Sequence, residues 1–95
     1  MQMKKIREEF YFIHGETMLN DRIISTSGIV ELHNDCYWLY MDFPIQGNGF
    51  FSFRIGKNFW RMTKAIHKIF EIGFDLHKRK GVSLKKTLGF INECA

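Results

Sequence analysis

Few side chains in this sequence are able to do chemistry, and His33, Asp35 and Cys36 form the densest group of them. A thiol beside an imidazole is the pairing that makes a nucleophile and its base. Acyl transfer also needs an oxyanion site, an orienting group and a cleft, and no pattern elsewhere in the chain supplies them. The group therefore reads as a polar turn beside a half-buried cysteine, and the chain as a non-enzymatic one. His14, His33, His67 and His77, with Cys36 and Cys94, follow none of the short ligand spacings of structural zinc sites. No metal and no cofactor is expected. Neither a GxxxxGK[ST] nor a GxGxxG phosphate loop occurs, and Gly47-Asn48-Gly49 reads as a flexible connection.

Charge is the stronger signal, through its placement more than its total of +4. Residues 1 to 33 carry four Lys or Arg against five Asp or Glu, residues 34 to 56 one against two, and residues 57 to 95 nine against three. Lys78, Arg79, Lys80, Lys85 and Lys86 gather around one turn, and Arg61, Lys64 and Lys68 share one side of a helical pattern. Such a patch attracts phosphates or an acidic protein surface. Aromatic residues reach 16%, ten of them Phe, and those that a small core does not absorb are available to a surface that meets a partner.

The elements that position these groups fall into two kinds. The first forty or so residues alternate with period two, while the last forty carry the helical period, which begins at Phe59. The clearest strand pair runs from Gly28 to His33 and from Cys36 to Phe43, turning at Asn34-Asp35. That turn sets His33 opposite Cys36, Leu32 opposite Tyr37, Val30 opposite Leu39 and Gly28 opposite Met41. Val30, Leu32, Tyr37, Leu39, Met41 and Phe43 then share one face; Ile29, Glu31, His33, Trp38, Tyr40 and Asp42 share the other. Arg22 to Ser27 extends the first strand through a bulge at Ser27-Gly28, Arg7 to His14 supplies an earlier strand, and Phe50 to Ile55 a later one. Four antiparallel strands result.

Phe59, Met62, Ile66, Ile69, Gly73 and Leu76 form the apolar stripe of a helix of about five turns, capped by Asn58 and stopped at Gly81. Lys78, Arg79 and Lys80 suit its negative end. Ser83 caps a second helix carrying Leu84, Leu88 and Ile91. The expected fold is α+β: a four-stranded antiparallel meander, a long amphipathic helix on one face and a short C-terminal helix. Its core takes in Leu39, Met41, Phe51, Phe53, Ile66 and Ile69.

Ninety-five residues suit one domain, 1–95, with one core. Two distant cysteines predict free thiols and a cytoplasmic protein. The apolar run Phe10 to Ile13 is too short for a signal peptide or a membrane span.

Gly49-Phe50-Phe51-Ser52-Phe53-Arg54-Ile55, running into Phe59-Trp60 and the Ile66, Ile69 stripe, resembles the transcriptional-coactivator positive-cofactor-four family over residues 27 to 70. The resemblance implies single-stranded DNA bound on a curved antiparallel sheet, with Trp38, Tyr40, Phe50 and Arg54 as stacking and phosphate residues, and dimerisation through the helix. This chain departs from the family in a loop, Pro44 to Gly49, without basic residues, in a sheet without excess positive charge, and in the second helix.

The function expected is that of a small binding module acting on nucleic acid or a nucleoprotein machine through the basic helical half and the aromatic sheet face. No membrane is involved, and a homodimer is compatible. The alternative is a protein-binding regulator or inhibitor of the phage or mobile-element type, such as an anti-restriction or anti-CRISPR protein.

Overall fold

The computed structural model describes residues 1–44, 51–77 and 81–85. Among them the elements are β1 (Gln2–Arg7), β2 (Phe10–Leu19), β3 (Arg22–His33), β4 (Cys36–Asp42), β5 (Phe51–Gly56), α1 (Phe59–Ile72), β6 (Phe74–His77) and β7 (Gly81–Leu84). Strands β1 to β5 form an antiparallel meander. One edge of β2 pairs with β3; the other serves β1 along its first half and β6 at its end, where Leu19 meets Phe74 in parallel. The order β5-β4-β3-β2-β6-β7 brings β7 round to β5, so that a Cβ added at Gly81 would lie 2.8 Å from Phe51 Cε1. The sheet is mixed and nearly closes into a barrel, with α1 packed inside its curve against β2 and β5.

Two tight turns set the register. Asn20-Asp21 (φ 47° and 65°) and Asn34-Asp35 (φ 50° and 62°) both place two residues in the left-handed region. A two-residue hairpin of the I′ type demands this, and Asn and Asp are the non-glycine residues that tolerate it best. The Asn34-Asp35 turn gives the pairing expected from the sequence, His33 with Cys36 through Gly28 with Met41. Val30, Tyr37, Leu39, Met41 and Phe43 are buried, Leu32 partly so.

The four-stranded meander with a long helix and a C-terminal helix is corrected to this seven-stranded, barrel-like sheet, with one helix among the described residues. Strand β1 is an edge strand exposed on both faces apart from Met3, so it carries no alternation of apolar residues to read. The strand expected at Arg7 to His14 is β2, and it runs on to Leu19. Strand β3 crosses Ser27-Gly28 without a register shift. Gly28 is required there by close approach, because a Cβ would stand 2.5 Å from the Tyr40 carbonyl oxygen. The irregularities lie instead between Lys5 and Arg7 and between Tyr37 and Trp38.

Helix α1 begins as expected, with Asn58 Oδ1 accepting from the Arg61 N–H at 3.0 Å. It ends at Ile72, several residues early. The Gly73 N–H closes on the Ile69 carbonyl at 2.7 Å, and Gly73 turns to φ 105°, a conformation that L side chains resist. Beyond it, long-range pairing outweighs the local helical period. The Asn20 N–H donates to the Phe74 carbonyl at 3.2 Å. The Asn20 side chain accepts from the Leu76 N–H at 2.7 Å and donates to the Leu76 carbonyl at 3.3 Å. Gly81–Leu84 is β7, paired with β6, where the start of a second helix capped by Ser83 was expected; Leu88 and Ile91 lie outside the described residues. Of the core expected from the sequence, Leu39, Met41, Ile66 and Ile69 are fully buried, and Phe51 and Phe53 are partly buried.

The expectation of free thiols is corrected at Cys36, which is held in a disulfide; the other sulfur lies outside the described residues. The fold contains no helix long and apolar enough to cross a membrane among the described residues.

Candidate nucleic-acid interface

The first turn of α1 explains how an indole comes to stand in water beside a row of cations. Phe59 turns inward and is gripped by Tyr11 (ring centroids 5.5 Å apart) and Tyr37 (6.3 Å). One residue later, a helix has rotated by about 100°, and Trp60 points out, 73% exposed, its ring edge-on to Phe59 at 5.2 Å. With Met62, Ile66, Ile69 and Phe70 committed to the core, the same rotation puts Arg61, Lys64 and Lys68 on the outward arc with Trp60. Along the axis these cations are separated by about 4.5 and 6 Å. Lys57 immediately precedes the cap and is also exposed.

Among the described residues, Glu71 shares the arc with these cations. Its carboxylate stands 3.8 Å from Lys68 Nζ, with both side chains substantially exposed, and such a surface pair is worth about 0–1 kcal/mol. It yields readily to a phosphate. Beside Trp60 an open groove of about 530 Å³ is lined by Met3, Lys5, Tyr11, Phe59, Thr63 and His67. The hydrogen bond from Lys5 to Glu8 raises the Lys5 ammonium above its ordinary range. Burial, aided by the charges of Tyr11 and Glu9, raises the Tyr37 phenol, which stays neutral beneath Phe59.

The aromatic residues Trp38 and Tyr40 and the cation Arg54 come together elsewhere, on the outer face of β4 and β5. Trp38 and Tyr40 stack at 6.5 Å and 21°, and the Arg54 guanidinium lies 5.4 Å from the Trp38 ring centre. Helix α1 covers the inner face of the sheet, so the two groups of site residues point to opposite sides of the molecule. Lys85 follows β7 directly and is partly exposed. Phe50, Lys78, Arg79, Lys80 and Lys86 lie outside the described residues. Helix α1 ends before residues 78–80, so their expected place in its last turn is corrected.

Sequence reasoning passed over Trp60 as a site residue, although its position one step from an inward Phe59 on a helix was a readable signal. It also missed the groove, which depends on β1. The turn group His33, Asp35 and Cys36 offers no accessible thiolate: Cys36 is bonded and 6% exposed. His33 Nε2 lies 3.3 Å from Glu31 Oε2. Among the described residues no three His, Cys, Asp or Glu side chains converge on a cation site.

Comparison with protein-family models, with curated proteins and with solved structures finds no match.

Proposed function

We propose that this chain is a non-enzymatic module that binds single-stranded nucleic acid along α1, with phosphates on Arg61, Lys64 and Lys68 and a base stacked on Trp60. The observation that carries the reading is the 73% exposure of Trp60 on the arc that also holds those cations. Affinity for nucleic acid is set first by phosphate contacts, and Arg61, Lys64 and Lys68 lie on one arc of the helix. A stacked base needs an aromatic ring that no neighbour covers, and an unpaired strand supplies bases free to stack.

Fluorescence anisotropy with single- and double-stranded oligonucleotides across a salt series tests this. Three phosphate contacts to a single strand correspond to a slope of log K against log salt of about −2. The double variant Lys64→Gln, Lys68→Gln is expected to reduce that slope by about 1.4. Trp60→Ala is expected to cost about 1–3 kcal/mol at every salt concentration. Absence of binding to any DNA or RNA at low salt, where attraction is strongest, would sink the proposal and leave the protein-binding regulator as the reading.

The cytoplasmic placement expected from the cysteine count conflicts with the bonded Cys36, because reducing compartments keep thiols free. Alkylation in denaturant immediately after lysis is expected to leave Cys36 unlabelled until reductant is added. Labelling without reductant would return the protein to the cytoplasm.

A further inference from the structure

The outer face of the sheet carries a second, differently composed surface. Register places Trp38 beside Glu31 and then Phe10, and Tyr40 beside Ile29 and then Phe12. Phe12, 40% exposed, lies parallel to His14 at 6.5 Å, and the Arg7 guanidinium sits 4.7 Å from the centre of the Phe10 ring. Trp, Tyr and Arg are the residues enriched where proteins bury their interfaces, and stiff rings lose little freedom on docking.

The charges decide what this face fits. Among the described residues of the face, Lys4, Arg7 and Arg54 are accompanied by Glu16, Glu31 and Asp42, one carboxylate for each cation. A polyanion gains nothing from such a face as a whole, since the attraction of one half is cancelled by the other. A strongly acidic or basic protein surface meets the same cancellation. A copy of the face itself does not: register puts Lys4, Arg7 and Arg54 toward one end of the strands and Asp42 and Glu16 toward the other, so a two-fold that reverses the strand direction sets each end against its opposite, and every such contact occurs twice. The molecule measures 32 × 26 × 22 Å, and its broadest aspect is on the scale of the roughly 800 Å² per partner that a standard interface buries.

We propose that the outer sheet face, centred on Trp38, Tyr40, Ile29 and Phe12, docks on a second copy of this chain to give a two-fold dimer with sheets face to face. The inference stands apart from the nucleic-acid reading. Taken with it, the dimer holds two α1 arcs on opposite outer sides and is bivalent.

Sedimentation velocity over a dilution series of the full chain is expected to show a monomer–dimer equilibrium with Kd on the order of micromolar. Two sets of exposed charges supply the decisive variants. Lys4→Glu with Arg7→Glu makes the face acidic, and Glu16→Lys with Asp42→Lys makes it basic. Each variant alone is expected to self-associate at least roughly tenfold more weakly than wild type, and an equimolar mixture to recover a heterodimer. Circular dichroism melting shows that each variant is folded. In the Trp60→Phe variant, Trp38 is the remaining indole, and its emission is expected to move to the red as the dimer dissociates. A wild-type monomer at roughly 200 µM, or a mixture no more associated than its components, would overturn the proposal. Quenching of Trp38 in a monomeric Trp60→Phe protein by a single-stranded oligonucleotide would also overturn it, by giving this face to nucleic acid as the positive-cofactor-four resemblance implies.

Discussion

Phe74→Ala is expected to remove about 3–5 kcal/mol of folding free energy, as large aromatic truncations in closed cores do. Phe74 is fully buried, and three rings converge on it: Phe43 at 4.7 Å, Phe53 at 5.7 Å and Phe70 at 6.5 Å between centroids. Those rings come from β5, from α1 and from the residue that follows β4, so no single element can shift to refill the space without disturbing the others. A domain of this size is stable by about 5–15 kcal/mol in all, which makes this loss a large share of the total. Urea unfolding should report it as a lower midpoint with unchanged slope, and thermal melting as a fall of about 4–8 °C per kcal/mol. Leu76→Ala is the reference. The apolar period of α1, if prolonged, would bury Leu76. In the fold it is 38% exposed, so its truncation should cost about 0.5 kcal/mol, as surface changes do. Equal costs at the two positions would refute the place given to β6.

The elements that could be read from the sequence are those whose signal is local. The Asn34-Asp35 hairpin needs only a turn that accepts positive φ and apolar residues at every second position, and its register followed from those alone. The start of α1 was equally local: Asn58 caps it and Phe59, Met62, Ile66 and Ile69 supply the stripe. What was misread depended on partners distant in sequence. Strand β6 exists because Leu19 and Asn20, more than fifty residues away, supply its pairing, and β7 exists because β6 is there to receive it. Gly81 and Ser83 look the same in sequence whether they end one helix and begin another or open a strand. Of the site, the cations of α1 were legible as one helical face. Trp60 was not singled out, since attention to the stripe favours the inward Phe59. The separation of the helix arc from Trp38, Tyr40 and Arg54 required knowing which face of the sheet the helix covers.

The sign of the Gly73→Ala effect distinguishes the two descriptions of residues 73–76. If the helix continued through this position, alanine would be an improvement, stabilising it by about 0.5–1 kcal/mol because glycine in a helix interior loses more freedom on folding. The structure demands a loss. Gly73 has φ 105°, outside what an L residue adopts without strain of order 1–3 kcal/mol. Its added Cβ would also stand 2.6 Å from the Met18 carbonyl oxygen and 2.8 Å from Met18 Cβ. A backbone oxygen cannot swing aside as the end of a long side chain can, so the crowding is relieved only by moving β2 or α1, at about 1–3 kcal/mol. The two effects together give an expected destabilisation of about 2–5 kcal/mol, read from urea midpoints of the purified variant. Gly73 is also the single residue between α1 and β6, so relief by displacing α1 would loosen Phe70 from Phe74 and should lower the melting cooperativity. A stabilised Gly73→Ala protein would put residues 73–76 back in the helix and take Phe74 out of the core; a destabilised one fixes the end of α1, and with it the length of the cationic arc beside Trp60.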